Sequence, residues 1–292
     1  MADEAGSVPE TQLTWDVFVT PEFKVVSSDL PPGLDTRTWA PTTATLISGD
    51  TDAVLVDAML TINQAEALAN WVEAKGKNLT TVYVTHGHGD HFFGLAQILD
   101  RFPKARAVAT PAAIEVMREQ SDPSTIKRYW EPILPGQIPP ELRVPEPLDG
   151  EHLYLQGHTL TPIEVGHTDT KATTCLYVPS VSLIVAGDAV YNGTHIFLGE
   201  SDARERDEWR TALDTIAALA PTAVVAGHKP AAADDSPRHI EGTRRYLDSF
   251  DRAAAAADDA TGLYTAMLRE YPDYASPGTL WSSAKTNMSR RS

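Results

Sequence analysis

Residues 85–91, THGHGDH, form the most informative stretch of this chain. They follow the run TVYV at 81–84, which is short and rich in β-branched residues, as expected for a buried strand. Three of the nine histidines and one carboxylate therefore stand where a strand should end. Two histidines two residues apart chelate zinc through imidazole, and a carboxylate adds an oxygen donor that an open catalytic site tolerates. The stretch predicts a metal site, and its spacing suits two ions better than one.

The sequence around this stretch alternates between strand and helix patterns. Short β-branched runs bounded by turn residues indicate strands, and apolar residues at helical spacing indicate helices. The predicted strands are 43–50, 53–58, 80–86 and 105–110, and the predicted helices are 62–76, 91–102 and 111–120. This alternation favours an α/β fold.

In the second half, three apolar runs each deliver a ligand-type residue directly after a glycine. These residues are His167 after IEVG, Asp188 after LIVAG and His228 after VVAG. His158 competes with His167 for the same role. The run at 43–58 also resembles the run at 173–189, because each is a strand, a turn and a strand that ends in Asp-Ala. A weak internal duplication is indicated, in which Asp57 ends the strand that matches the one ending in Asp188.

The whole chain, 1–292, is predicted to form a single domain. Its N-terminus begins MADEAGSVPE, which is polar and acidic and predicts flexibility over residues 1–20. Residues 122–150 are rich in proline and predict a loop region, and residues 236–292 predict a C-terminal helical extension. The aromatic pair Tyr129 and Trp130 in the loop region is expected to form a wall of a substrate pocket, and His195 is a further pocket candidate.

Composition narrows the classes of partner. Twenty-four basic and 40 acidic residues give a formal charge of −16, which would repel nucleic acid and anionic membranes and leaves a small molecule as the expected substrate. No signal-peptide pattern or membrane span is visible, and the single Cys175 cannot form an internal disulfide, so a cytoplasmic setting is expected. The oligomeric state is left open, with a homodimer among the options.

The pattern resembles the metallo-β-lactamase superfamily, whose HxHxDH signature stands here as His86, His88, Asp90 and His91. The resemblance implies an αββα sandwich with the site at one edge. It also implies two zinc ions, with Mn²⁺ or Fe²⁺ as alternatives. The implied ligands are His86, His88 and His167 for the first ion, Asp90, His91 and His228 for the second, and Asp188 as the bridge. Thr168, Asp169 and Asp57 would orient contacts around these ligands.

Such a centre predicts hydrolysis. Two divalent ions that share a water lower its pKa from roughly 15.7 toward about 7, so a metal-bridging hydroxide is the expected nucleophile, with Asp90 orienting it or moving a proton. Tyr191 lies three residues after Asp188, the spacing found in the N-acyl homoserine lactone lactonases that this chain resembles. Its hydroxyl is expected to hydrogen-bond ester or lactone oxygens. The favoured function is therefore hydrolysis of a small carboxylic ester or lactone.

Other functions stay open at this point. A thioesterase resembling glyoxalase II is the main alternative, with Arg244 and Arg245 as a source of positive charge. β-Lactam hydrolysis is disfavoured, because the main group of zinc β-lactamases carries cysteine where this chain has Asp188 and is exported. A non-catalytic metal-binding module is the third alternative. No GxSxG elbow or GxGxxG fingerprint occurs, so serine hydrolases and dehydrogenases are not supported.

Overall fold

Two β-sheets packed face to face form the centre of the protein. The structure, a computed structural model, describes residues 12–290. The strands are β1 Thr14–Val19, β2 Phe23–Val25, β3 Arg37–Trp39, β4 Thr43–Ser48, β5 Asp52–Val56, β6 Asn78–Tyr83, β7 Arg106–Ala109, β8 Glu146–Pro147, β9 Leu153–Leu155, β10 His158–Gly166, β11 Thr173–Val178, β12 Leu183–Tyr191 and β13 Ala223–His228. The first sheet has the order β1-β4-β5-β6-β7-β8 and the second the order β13-β12-β11-β10-β9, while β2 and β3 form a separate ribbon.

Helices cover the outer face of each sheet. They are α1 Ile62–Ala74, α2 Gly89–Phe92, α3 Leu95–Arg101, α4 Pro111–Gln120, α5 Pro123–Thr125, α6 Glu131–Ile133, α7 Ala203–Ala218, α8 Arg238–Ala256, α9 Ala260–Glu270 and α10 Pro277–Ser289. A capping box of Thr61 and Gln64 begins α1, because each side chain accepts a hydrogen bond from the backbone N–H of the other residue. A proline at its first position begins α4. Both starts were visible in the sequence.

Three hydrophobic cores hold these layers together. Val54 and Leu176 are buried between the two sheets. Leu68 of α1 belongs to the core outside the first sheet, and Trp209 of α7 belongs to the core outside the second. Fully burying an aliphatic side chain contributes roughly 1.5–3 kcal/mol relative to leaving it exposed. The order helix, sheet, sheet, helix confirms the predicted αββα sandwich.

The strand directions bring the candidate ligands to one edge of the sandwich. β5, β6, β7 and β8 are parallel to one another, and so are β12 and β13. Parallel strands end at the same edge of a sheet, which is where open α/β sheets bind ligands. The stretch THGHGDH follows the end of β6, Asp188 lies near the end of β12, and His228 ends β13.

The structure corrects two predicted segments. Residues 14–19, expected to be flexible as part of 1–20, form β1 and pair antiparallel with β4. Trp15 and Val17 pack against the core between the sheets, which gives this segment a reason to be ordered, and residues 1–11 lie outside the described residues. The segment 122–150 is not a loop throughout, since α5, a π-helical turn at Ile126–Trp130 and α6 occupy its first part. Its prolines are compatible with helix because two of them lie in first helical turns.

The predicted C-terminal extension consists of α8, α9 and α10. Helix α8 packs against α7 and β12, and α10 packs against β3. Within residues 12–290, none of the helices combines the length and the apolar composition that a membrane crossing needs.

Candidate metal centre

Two groups of ligand atoms meet at the edge of the sandwich. In each group, one nitrogen or oxygen atom per residue lies within 4.8 Å of the others. The first group consists of His86, His88, Asp169 and Asp188, and the second of Asp90, His91 and His228. All of the metal ligands predicted from the sequence except His167 are therefore brought together.

Four of the facing atoms in these groups have no hydrogen-bond partner among the described residues. His86 Nε2, His91 Nε2, Asp169 Oδ2 and Asp188 Oδ1 are buried without a hydrogen-bond partner among the described residues. Other polar atoms are nevertheless close, since His88 Nδ1 lies 2.7 Å from Asp169 Oδ2 and His91 Nε2 lies 3.2 Å from Asp188 Oδ1. Lone pairs that converge without hydrogen-bond geometry fit divalent cations between them.

A hydrogen-bond partner faces the outer nitrogen of each imidazole. The pairs are His86 Nδ1 with Thr85 Oγ1 at 2.9 Å, His88 Nε2 with Glu200 Oε1 at 3.4 Å, His91 Nδ1 with Asp57 Oδ2 at 2.8 Å, and His228 Nδ1 with the Pro41 carbonyl oxygen at 2.9 Å. When the outer N–H donates to these oxygens, the inner nitrogen is left unprotonated. That is the tautomer that binds a metal ion.

Asp188 lies between the two groups. Its Oδ2 is 3.1 Å from His228 Nε2 and 4.0 Å from His86 Nε2, and its Oδ1 is 3.2 Å from His91 Nε2. One carboxylate thus reaches imidazoles of both groups, which is the position that a bridging ligand requires.

Two glycines make room for this carboxylate. A Cβ atom on Gly227 would lie 2.0 Å from Asp188 Oδ1. Gly187 has a φ of +51°, and a Cβ atom there would lie 2.6 Å from Thr85 Oγ1. Glycine alone satisfies both the left-handed backbone and the close approach. The glycines that precede Asp188 and His228 in the sequence therefore have a steric cause.

Asp169 takes the place in the first group that the sequence assigned to His167. His167 Nε2 lies 3.2 Å from the carbonyl oxygen of Glu200, and its Nδ1 lies 3.8 Å from Glu205 Oε1, so both ring nitrogens face oxygens outside the group. His158, the other candidate, begins β10 and belongs to neither group. The structure therefore brings Asp169, and not His167, to the first group.

Hydrogen bonds orient Asp169 in the segment that follows β10. The pairing of β10 with β11 shifts register between Glu164 and Gly166, just before this segment. Asp169 Oδ1 then accepts hydrogen bonds from Thr168 Oγ1 at 3.0 Å and from the backbone N–H of Thr170 at 2.9 Å. These two donors leave Asp169 Oδ2 free to face the group.

Negative charge accumulates at this edge. Asp57, Asp90, Asp169 and Asp188 are each at most 4% exposed, and within residues 12–290 the side chains that pair with them in ion pairs are all histidines. Burial, together with the neighbouring carboxylates, raises the pKa of Asp169 to about 6. Burial also opposes ionisation of Asp188, but His228 and His91 outweigh it and hold the pKa of Asp188 well below its usual range. Two divalent cations would balance these four carboxylates, as buried charges require.

A cavity of about 290 Å³ adjoins both groups. His88, Asp90, Asp169, Asp188 and His228 line one part of it. Aromatic side chains contribute other walls, namely Trp39, Tyr129, Trp130, Tyr191 and Phe197. The candidate metal centre therefore opens into a space of small-molecule size.

The three pocket residues predicted from the sequence all line this cavity. Tyr129 is 45% exposed, whereas Trp130 is buried and packs on Trp39 with ring centroids 5.4 Å apart. Both belong to the π-helical turn of the segment 122–150. His195 is fully buried and comes from the connection between β12 and α7.

Tyr191 lines the cavity beside the shared carboxylate. Its hydroxyl donates a 2.7 Å hydrogen bond to Asp188 Oδ2, and its ring stacks on His228 with centroids 5.4 Å apart. Burial and the charge of Asp188 raise the pKa of Tyr191 well above its ordinary value, so the phenol is a neutral donor. The sequence indicated the proximity to Asp188 but not this hydrogen bond.

Two contacts of the candidate metal centre could not be predicted from the sequence. Trp39 Nε1 donates to Asp90 Oδ2 at 3.2 Å, and Glu200 lies beside His88. Neither residue stands near the motif in sequence, and a lone tryptophan or glutamate carries no metal-site signal. Arg244, considered as a source of positive charge, instead pairs with Asp214 and Glu241, and neither it nor Arg245 lines the cavity.

Comparison with known proteins places the chain in a family. Residues 37–228 match the model of the metallo-beta-lactamase superfamily. A solved metallo-beta-lactamase family protein from Thermus thermophilus is 18% identical, with 89% of this chain and 92% of that chain covered and a TM-score of 0.59. The FIM-1 metallo-beta-lactamase from Pseudomonas aeruginosa in its mono-zinc form is 16% identical, with 81% of this chain and 95% of that chain covered and a TM-score of 0.56. A search of curated protein sequences finds no significant match. Since the family match spans well over half of the sequence and includes the HxHxDH stretch, the chain belongs to the metallo-beta-lactamase superfamily.

Proposed function

We propose that the protein is a dinuclear metal-dependent hydrolase of a small carboxylic ester or lactone. The superfamily consists mainly of metal-dependent hydrolases. The observation that carries the proposal is the position of Asp188, which reaches both ligand groups and accepts a hydrogen bond from the Tyr191 hydroxyl at the cavity. A bridging carboxylate with a neutral phenol beside it suits the attack of water on a carbonyl carbon.

The ligand groups fit two divalent ions, for which we propose zinc, with Mn²⁺ or Fe²⁺ as alternatives. In this proposal His86, His88 and Asp169 would hold the first ion, Asp90, His91 and His228 would hold the second, and Asp188 would contact both. When bound, the two ions lower the pKa of a shared water and polarise a carbonyl oxygen.

Asp90 is the group that we propose moves the proton of the attacking water. Trp39 Nε1 holds Asp90 Oδ2, which also faces His228 Nε2 at 3.4 Å. The hydrogen bond from Trp39 orients the carboxylate, whose Oδ1 has no comparably close partner and lies 4.0 Å from His91 Nε2. A positioned carboxylate of this kind can accept a proton as water attacks.

Tyr191 is proposed to assist the oxygen that gains negative charge. Its hydroxyl already donates to Asp188, so it has a defined direction and a proton to share. Turning that proton toward the substrate carbonyl or the leaving oxygen would stabilise charge that develops only in the transition state. An ester or lactone presents both oxygens within reach of one donor.

The cavity supports a small organic substrate. Its volume of about 290 Å³ and its aromatic walls match a small organic molecule. The formal charge of −16 disfavours nucleic acid and anionic membrane surfaces as partners. The single cysteine, Cys175, is buried and free, in keeping with the cytoplasmic setting that we propose.

Two neighbouring activities are less well supported. A glyoxalase II-like thioesterase lacks a basic contribution from Arg244, which is paired with acidic side chains away from the cavity. The FIM-1 metallo-beta-lactamase shares the fold with this chain, but at 16% sequence identity this likeness does not indicate the substrate. Both activities therefore enter the test as competing outcomes.

The test combines metal analysis with turnover. The protein is loaded with Zn²⁺, dialysed and analysed, and we expect two ions per chain, whereas clearly less than one would contradict the dinuclear centre. The loaded protein is then assayed with lactones, aryl esters, thioesters and β-lactams, with Asp188→Asn as the matched variant. The highest kcat/KM is expected on a lactone or ester. A higher kcat/KM on a thioester or β-lactam would replace the proposed substrate class.

A further inference from the structure

His195 is a buried histidine in the cavity wall that belongs to neither ligand group. Its side chain is fully buried, and its Nε2 has no hydrogen-bond partner among the described residues. A buried polar atom left unpaired is costly, so its retention in a cavity wall points to a use. The protonation of this nitrogen decides which use is open.

Tyr246 determines the tautomer of His195. The Tyr246 hydroxyl lies 2.9 Å from His195 Nδ1, and the backbone N–H of Ile196 is directed at the same hydroxyl oxygen. Among the described residues, His195 Nδ1 is the one acceptor within hydrogen-bond distance of the Tyr246 hydroxyl, so donation from Tyr246 to Nδ1 is the arrangement that uses the hydroxyl proton. A neutral ring that accepts at Nδ1 carries its own proton on Nε2. Burial lowers the pKa of His195 to about 3, which keeps the ring neutral.

The segment around His195 is held firmly. The His195 backbone N–H donates to Ala275 O at 2.9 Å, the Leu198 N–H donates to Ser283 Oγ at 2.8 Å, and Asn287 Nδ2 donates to Leu198 O at 2.7 Å. Tyr246 belongs to α8, and Ser283 and Asn287 belong to α10. The C-terminal helices therefore fix the position of His195 in the cavity wall, as a selective binding contact requires.

We propose that His195 Nε2–H binds an acceptor oxygen in the part of the substrate that is not cleaved. The inference rests on the proposed ester hydrolase function, because it concerns the substrate of that reaction. His195 belongs to neither ligand group, so we assign it to a part of the substrate away from the scissile bond. The rings of Tyr246 and Tyr274 lie beside His195, with centroids 5.9 and 5.8 Å from its own, and Tyr191 and Phe197 line the same cavity. A buried donor that is held in place discriminates against substrates that leave it unpaired. The substrate class is an ester or lactone with a carbonyl or ether oxygen remote from the scissile bond.

The kinetic test uses 4-nitrophenyl pentanoate and its 3-oxo and 4-oxo analogues on the zinc-loaded protein. We expect wild type to favour one oxo analogue over pentanoate by about 10-fold in kcat/KM, mainly through KM. His195→Phe should abolish this preference. His195→Gln should restore part of the preference, because the amide N–H of glutamine lies about as far from Cα as the Nε2–H of the histidine ring. Tyr246→Phe should weaken it, because the ring then loses the donor that fixes its tautomer. Absence of the preference in wild type, or its persistence in His195→Phe, would overturn the inference.

A second measurement separates this inference from the proposed function. In protein with ¹⁵N-labelled histidine, the side-chain nitrogen signals report the tautomer without turnover, and the His195 signal is assigned by its loss in His195→Gln. We expect the Nε2–H tautomer and a shift on adding 4-oxopentanoate or 3-oxopentanoate that pentanoate does not cause. If no ester is hydrolysed but this shift occurs, the hydrolase proposal fails and the donor role stands. An Nδ1–H tautomer, or equal shifts with all three acids, would overturn the donor role whatever is hydrolysed.

Discussion

The two halves of the sandwich carry an aspartate at equivalent strand ends but use the two carboxylates differently. β5 pairs with β4 and leads into Asp57, whereas β12 pairs with β11 and contains Asp188. The imidazole of His91 lies between them, with Nδ1 2.8 Å from Asp57 Oδ2 and Nε2 3.2 Å from Asp188 Oδ1. Asp57 also accepts hydrogen bonds from the backbone N–H and the hydroxyl of Thr85, while Asp188 Oδ1 accepts none from the described residues.

The difference arises from where each strand end turns. Asp57 itself has a left-handed backbone with φ of 66°, whereas in the second half the residue before the aspartate, Gly187, is left-handed with φ of 51°. Aspartate tolerates this conformation and glycine adopts it without strain. The left-handed residue thus lies one position earlier in the second half than in the first. In the first half the carboxylate of Asp57 binds Thr85, and in the second half the carboxylate of Asp188 faces the cavity. The comparison shows how one repeated strand end can supply both a ligand and the group that orients a ligand.

The largest effect is expected when the second-half carboxylate is neutralised. Asp188→Asn removes the charge shared by the two groups and leaves His91 and His228 facing an amide. We expect kcat/KM on the best substrate to fall about 1,000-fold, or about 4 kcal/mol, and bound zinc to fall below two ions per chain. Elemental analysis and steady-state kinetics measure both, and circular dichroism checks folding. Full activity in a folded variant would remove Asp188 from its bridging role.

A second experiment distinguishes Asp169 from His167. Asp169→Ala removes an oxygen of the first group and should weaken binding of one ion by at least about 100-fold, more than an orienting contact would. His167→Ala is the matched control, because its ring nitrogens face Glu200 and Glu205, and it should change the affinity less than about threefold. Zinc competition against a fluorescent chelator measures both affinities. A reversed order of effects would return His167 to the ligand set.

The sequence predicted most of the fold because its signals were local. The strand ending at the HxHxDH stretch, α1 with its stop near Gly76, and α4 beginning at Pro111 follow from side-chain spacing and turn residues. The ligands after Gly187 and Gly227 were also visible, because Gly227 makes room for Asp188 and Gly187 makes room for Thr85. These features depend on a few neighbouring residues, so a single sequence carries them.

What the sequence did not predict depends on distant contacts or on strand register. The presence of Asp169, and not His167, in the first group depends on the conformation of the segment after β10, which no periodicity shows in advance. The order of Thr14–Val19 comes from pairing with β4. The contribution of the C-terminal helices to the cavity depends on Tyr246 meeting His195 across 51 positions of sequence.

A smaller effect is expected for the first-half aspartate. Asp57→Asn keeps the size of the side chain but weakens its hold on the His91 Nδ1–H. We expect a loss of about 10- to 100-fold in affinity for the second ion, the range for groups that orient a metal ligand. Asp52→Asn, at the start of the same strand and outside both groups, is the control and should leave affinity unchanged. If Asp57→Asn lost as much as Asp188→Asn, the division of roles between the halves would be wrong.

The smallest effect is expected for Tyr191→Phe, which tests whether the second half supplies an acid as well as a ligand. The variant keeps the ring that stacks on His228 and removes the proton donated to Asp188. If the hydroxyl only orients Asp188, the substitution should lower kcat/KM for esters and for thioesters by the same small factor. If it also assists the leaving group, lactones and alkyl esters should lose about 10-fold, or about 1.4 kcal/mol, because an alkoxide is strongly basic. A thiolate is much less basic and should lose little. The ratio of kcat/KM for an oxygen ester and its thioester analogue, in wild type and variant, therefore separates the roles: an unchanged ratio assigns Tyr191 to orientation alone, and a ratio that falls about 10-fold assigns it to catalysis.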